Sequence, residues 1–141
     1  MYKYITILGA AGQIAQRLTA TLLTYTDMHI TLYGRQLSSR IHPEILEHNR
    51  ITVIEGSFQN PKKLEEAVKN SEVVFLSAME TGSDVAAIVK ALSRQNVRRI
   101  IGLSIAGLAG EFPKELEKWT FDRLPISYVQ GERQARNVLR E

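Results

Sequence analysis

The stretch Gly9-Ala10-Ala11-Gly12-Gln13-Ile14-Ala15 has the form G-x-x-G-x-x-A and lies between a β-rich run and a helical pattern. A strand that turns there must turn sharply, and a side chain at Gly9 or Gly12 would block the approach of a pyrophosphate. The backbone N–H groups at the start of the helix then face the phosphates, and the helix dipole favours their negative charge. Gly9, Ala11, Gly12, Gln13 and Ile14 are the positions expected against that group. A small third residue, Ala15, lets the helix pack closely on the sheet. The competing reading is a tight strand–helix turn that holds no ligand.

A second signal bears on which nucleotide is held. After the second strand, an acidic residue would recognise the free ribose 2′-hydroxyl of NAD. The segment instead reads Leu32-Tyr33-Gly34-Arg35-Gln36, with no Asp or Glu from Met28 through Pro43. Arg35 offers a guanidinium fork for a 2′-phosphate and a flat face for adenine, and Arg40 is placed to assist. NADP(H) is therefore expected in preference to NAD(H), unless Arg35 is only a solvated loop residue. Ser57 and Phe58 end the third strand, and Ser77, Ala78 and Met79 end the fourth. These line the adenine and ribose side if the ligand lies outside the carboxyl ends of the strands. For Phe58 a core or lid role competes. Ser104 ends the fifth strand, where its hydroxyl lies near the nicotinamide or simply closes the strand.

These residues need a scaffold, and the sequence supplies one. β-rich runs at Tyr4–Leu8, His29–Tyr33, Ile51–Ile54, Val73–Ser77 and Arg99–Ser104 alternate with helical patterns at Ile14–Tyr25, Pro43–His48, Asp84–Arg94 and Glu132–Glu141, and from Pro61 onward. Asn60 is placed to cap the helix that begins at Pro61. On the first helix Ile14, Leu18, Leu22 and Tyr25 share a face. Such alternation predicts an α/β fold, a doubly wound parallel sheet of about five strands in the order 3-2-1-4-5 with helices on both faces. One domain spanning 1–141 is expected. A dinucleotide sheet of this type usually has about six strands, so C-terminal truncation is expected, with a naturally half-sized relative as the alternative.

Composition fits that frame. The 141 residues are 44% hydrophobic and 23% charged, with a net charge of +3 and no cysteine. Thiolate catalysis, disulfides and cysteine-bound metal are excluded. His29, His42 and His48 lack metal-ligand spacing. Neither a signal peptide, a membrane span nor a basic nucleic-acid arm is read, so a cytoplasmic domain is expected. Lys62-Lys63 and Glu65-Glu66 read as a solvated helix face. Trp119 is expected to anchor a loop over the sheet edge or to flank a substrate pocket.

The succession Gly9-x-x-Gly12-x-x-Ala15, Tyr33-Gly34-Arg35, Gly56-Ser57, Val74-Phe75-Leu76-Ser77 and Leu103-Ser104 resembles the atypical short-chain dehydrogenase/reductases, and among them the NmrA-like NAD(P)H-binding proteins. The resemblance covers nearly the whole chain but only the N-terminal part of a typical member. It implies a Rossmann fold and an NADP-type cofactor. In active members a serine and a Tyr-x-x-x-Lys motif carry the chemistry, which maps to Ser104 and Tyr128. The lysine position is Glu132, and a carboxylate there raises a tyrosine pKa instead of lowering it. Arg133 is next in sequence but points about 100° away on a helix. The proton relay is thus broken, and packing or gating is the alternative role of Tyr128. Two functions follow as expectations: an oxidoreductase passing hydride to a small carbonyl or quinone-like acceptor, or an NADP(H)-sensing regulatory protein without turnover. A sugar-nucleotide epimerase is a weaker third. An apolar face left on the last helix would suit a homodimer.

Overall fold

The computed structural model describes residues 1–77, 82–104, 108 and 110–140, apart from the side chains of Tyr128, Ala135 and residues 138–140. In chain order the elements are β1 (Tyr4–Leu8), α1 (Gln13–Tyr25), β2 (His29–Gly34), α2 (Leu37–Arg40), α3 (Pro43–Leu46), β3 (Ile51–Glu55), α4 (Pro61–Val68), β4 (Val73–Leu76), α5 (Gly82–Leu92), β5 (Arg99–Gly102), α6 (Lys114–Phe121) and α7 (Ile126–Arg140). The five strands form a parallel sheet in the order β3-β2-β1-β4-β5. This is the expected Rossmann-like α/β fold. Ile7 stands opposite Leu32 on one side and Phe75 on the other, so β1 is the central strand.

Each central strand feeds two cores by alternation, as a pleated strand with period 2 must. Ile5, Ile7, Ile30, Leu32, Val73 and Phe75 enter the core shared with Ala15 of α1, Leu37 of α2 and Ile45 of α3. Leu8, Tyr33, Val74 and Leu76 enter the opposite core, with Leu64 and Ala67 of α4 and Val85 and Ile88 of α5. Helices therefore cover both faces, which is why these strands read as nearly unbroken apolar runs. The buried Thr6 hydroxyl donates to the Ala67 carbonyl at 2.8 Å and pairs with the Ser71 hydroxyl, so its burial carries no unmet polar group. Asn60 caps α4 as expected, its side chain accepting from Lys63 N at 3.2 Å.

Several boundaries and faces differ from the sequence expectation. α1 buries Ala15 and Thr19, with Leu18, Leu22 and Leu23 half-covered, while Ile14 and Tyr25 are 56% and 81% exposed. Small residues face the sheet because the helix lies close to it after the glycine turn. No glycine ends α1. Thr26 does so, its N–H and hydroxyl both donating to the Leu22 carbonyl, and the Arg50 guanidinium donates to the carbonyls of Leu23 at 2.7 Å, Met28 at 3.4 Å and Thr26. α2 and α6 were not anticipated, and Trp119 lies on α6 rather than on a loop. α7 starts at Ile126, ahead of the expected Glu132.

The amino ends of the strands are tied by Glu72. Its carboxylate accepts from the backbone N–H groups of Lys3 at 2.6 Å and Tyr4 at 3.2 Å. Its carbonyl accepts from Arg98 N at 2.9 Å. The Lys3 N–H first, then the Tyr4 N–H and the Arg98 guanidinium, hold this carboxyl below the usual carboxylate range. A depressed folded pKa stabilises above the unfolded value and loses that stabilisation as pH falls through the folded one. Glu72→Gln should therefore lower the melting temperature at about pH 7 but leave it near the parent's at about pH 3. Thermal melts of both proteins across that range test it; a gap that persists undiminished in acid would show that Glu72 stabilises by another route.

Candidate functional site

β1 ends at Leu8 and the chain reverses at Gly9, whose φ of 77° lies in the left-handed region that favours glycine. The N–H groups of Gly9 and Ala10 both donate to the Tyr33 carbonyl, at 2.9 and 3.1 Å, which joins the turn to the end of β2. Gly12 N donates to Gly9 O at 3.1 Å and opens α1 with an ordinary φ of −67°. A Cβ at Gly12 would meet Gly9 O at 3.4 Å and Ser77 Oγ at 3.5 Å, which is ordinary contact. The fold itself thus tolerates a methyl group at Gly12. No side chain caps α1, and its first turn carries no acid. Its leading N–H groups are the donors that a helix of this kind offers to an anion.

A cleft of about 290 Å³ opens beside this turn, lined among others by Gly9, Ala11, Gly34, Arg35, Arg40 and Ser57. It lies where the carboxyl ends of β1, β2 and β3 converge. Arg35 and Arg40 bracket α2, and neither guanidinium has a hydrogen bond or ion pair among the described residues. Phe58, Gln59 and Asp84 complete the wall, with Gln59 Nε2 donating to Asp84 Oδ1 at 2.7 Å. The glycine turn and the arginines singled out in the sequence thus share one cleft.

The remaining candidates fall in different places. Gln13 and Ile14 are exposed at the start of α1. Ser77 is half-buried behind the turn, its hydroxyl bonded to the Gly9 carbonyl at 2.5 Å, so it braces the glycine loop. Phe58 both packs on the core, 6.1 Å from the Tyr33 ring, and lines the cleft. Ala78 and Met79 lie outside the described residues, as does the Tyr128 side chain. β5 ends at Gly102, so Ser104 lies two residues beyond the strand it was expected to end; it donates to Glu132 Oε2 at 3.2 Å, joining the segment after β5 to α7. Glu132 is buried to 2% exposure. The position that interrupts the tyrosine–lysine pattern therefore meets the candidate serine directly.

Gln59 and Asp84 escaped sequence reasoning because nothing in their neighbourhoods forms a motif. Only the convergence of the β3 end with the first turn of α5 brings them together. Lys63, read as part of a solvated face, donates its Nζ to the Glu55 carbonyl at 2.7 Å. Glu65 on α4 pairs at 2.6 Å with Arg94, which lies just past the end of α5.

Comparison with known proteins places this geometry. A family model described as NAD(P)H-binding matches residues 9–141, and the chain belongs to that family. A short-chain dehydrogenase/reductase from Veillonella parvula, solved in complex with NADP, is 82% identical over the whole chain with a TM-score of 0.96. The chain covers 65% of that protein. An oxidoreductase of Aspergillus parasiticus is 38% identical over 72 residues, 50% of this chain and 27% of the fungal one. NmrA, a negative transcriptional regulator solved with NAD, shares the fold at a TM-score of 0.76 and 15% identity, over 99% of this chain and 42% of its own.

The wall near Ser57 depends on one close fit. The Tyr33 hydroxyl, pushed up in pKa by burial and so held as a donor, donates a hydrogen bond to the Ser57 carbonyl at 2.7 Å. A Cβ on Gly56 would lie 2.6 Å from that hydroxyl oxygen. Gly56→Ala should cost about 1–3 kcal/mol. Tyr33→Phe alone should cost about 1 kcal/mol, and the double variant less than the sum of the two. Urea unfolding of the three proteins measures this; strict additivity would mean that the two residues do not compete for the same space.

Proposed function

We propose that this chain binds NADP(H) in preference to NAD(H), as the cofactor-binding part of an oxidoreductase that reduces a small carbonyl or quinone-like acceptor. The observation that carries this reading is the pair Arg35 and Arg40, unengaged among the described residues, on the wall of the cleft that also contains the glycine turn. The residues present fit such a ligand. An uncapped helix start and a left-handed glycine suit a pyrophosphate, and the two guanidinium groups suit a further phosphate. The absence of Asp and Glu between Met28 and Pro43 removes the carboxylate that would repel it.

The bound nicotinamide would supply the hydride. The chain's own residues hold and orient the cofactor: the Gly9–Gly12 turn at the pyrophosphate, Arg35 and Arg40 at the 2′-phosphate, Ser57 and Phe58 beside the adenosine. Ser104 is the hydroxyl proposed for the acceptor oxygen, which it reaches by turning its one proton away from Glu132. The NADP complex of the Veillonella relative and the name of the Aspergillus relative support this reading. Glu132 favours a second one. A carboxylate at the lysine position suits a protein that senses the NADP+/NADPH ratio without turnover, through a partner whose binding depends on that ratio.

Arg35→Ala should weaken NADPH by about 10- to 100-fold, since a charge-assisted hydrogen bond contributes about 1.5–3 kcal/mol. NADH should change far less. Nicotinamide fluorescence titrations read both, and equal weakening would show that Arg35 does not recognise the 2′-phosphate. Steady NADPH oxidation with a quinone or carbonyl panel decides between the two functions. Turnover with any acceptor selects the reductase; tight binding with no turnover across the panel selects the sensor.

A further inference from the structure

The segment that carries Arg35 and Arg40 is held from behind by a residue that does not line the cleft. Glu55, the last residue of β3, accepts through Oε1 from both the backbone N–H and the hydroxyl of Ser38, each at 2.8 Å. Ser38 is the second residue of α2, whose N-cap, Gln36, has no side-chain bond to offer. Gln36 is itself left-handed, with φ 55° and ψ 41°, a conformation that side-chain-bearing residues leave unless their surroundings impose it. Arg35 immediately precedes this residue, and Arg40 ends the four-residue helix that follows it. Behind Glu55, its carbonyl accepts from Lys63 Nζ at 2.7 Å, and Gly56 N donates to Gly34 O at 3.0 Å. Glu55 is thus fixed on the sheet at the point where it grips α2.

We propose that Glu55 is a positioning residue for cofactor selectivity: through Ser38 it imposes the turn at Gln36 and so aims Arg35 and Arg40 together into the cleft. The inference rests on the reading of Arg35 given above. It concerns a carboxylate that, by its charge alone, would oppose a phosphate. Its two hydrogen bonds are directed at Ser38 and leave it facing α2, while Arg35 and Arg40 face the cleft. The Ser38 N–H first, then its hydroxyl and the Leu37 N–H, hold the Glu55 carboxyl below the usual carboxylate range, so it stays ionised at neutral pH. Without the clamp, Gln36 is free to return to an ordinary backbone conformation, and Arg35 is carried away with it.

The test compares NADPH and NADH affinities, by nicotinamide fluorescence, for the parent chain, Arg35→Ala, Glu55→Ala, Ser38→Ala and the double variant Arg35→Ala/Glu55→Ala. Glu55→Ala is expected to weaken NADPH about tenfold and NADH less than about threefold. Ser38→Ala keeps its N–H, so a smaller loss of about two- to threefold in the same ratio is expected. In the Arg35→Ala background, Glu55→Ala should add much less than its tenfold loss of NADPH affinity, because only the part that passes through Arg40 remains. Equal weakening of both nucleotides by Glu55→Ala, or tighter NADPH binding, would overturn the proposal. So would a full additional loss in the double variant. If Glu55→Ala does not fold, an unchanged ratio in Ser38→Ala overturns it equally. Should Arg35→Ala itself leave the ratio unchanged, the reading of Arg35 falls first and this inference falls with it. If Arg35→Ala collapses the ratio while Glu55→Ala and Ser38→Ala preserve it, only the role of Glu55 is lost.

Discussion

Tyr33 is the contact on which the rest of the site depends. Its carbonyl takes two N–H groups from the glycine turn, at Gly9 and Ala10, and its hydroxyl holds the carbonyl of Ser57. One residue at the end of β2 therefore fixes the end of β1 through its backbone and the end of β3 through its fully buried side chain. Its ring packs in the core shared with α4 and α5, which holds this residue in place. Cores packed at crystal-like density do not deform continuously, and that rigidity passes directly to the cleft.

The cleft then follows from electrostatics. The start of α1 has no side-chain cap among the described residues, and the segment after β2 presents two guanidinium groups, Arg35 before α2 and Arg40 at its end. Positive potential from a helix end and from arginines adds in one crevice at the carboxyl edge of a parallel sheet. Asp84 is the acid on its wall, and it is engaged by Gln59. Such a surface selects for a polyanion before any substrate is considered, in keeping with the NAD(P)H-binding family to which the chain belongs.

Much of this was legible in the sequence, for a physical reason. Buried parallel strands must be apolar on both faces, so β1, β2 and β4 announce themselves, and Gly9 and Arg35 follow them at fixed offsets. The features that were not legible depend on residues far apart in the chain. α2 is four residues, Leu-Ser-Ser-Arg, too short for a periodic pattern, and it is capped by Glu55, 17 positions after Ser38. The pairing of Ser104 with Glu132 spans 28 positions. α6 is different. Pro113 ahead of Glu115 and Glu117 is a local helix-start signal that was open to notice. The buried face of α1 is not legible from its large apolar residues, because close approach to the sheet favours the small side chains of Ala15 and Thr19.

The chain has a single tryptophan, and its location has an optical consequence. Trp119 is 56% exposed on α6, with the Arg123 guanidinium 3.8 Å from its ring, and it is not among the residues that line the cleft. Its emission therefore reports one solvent-facing helix rather than the nucleotide-binding sheet. Circular dichroism reports mainly the sheet and the longer helices. Two probes thus observe two parts of the molecule, and coincidence of their unfolding transitions would measure whether α6 belongs to the same cooperative unit as the core.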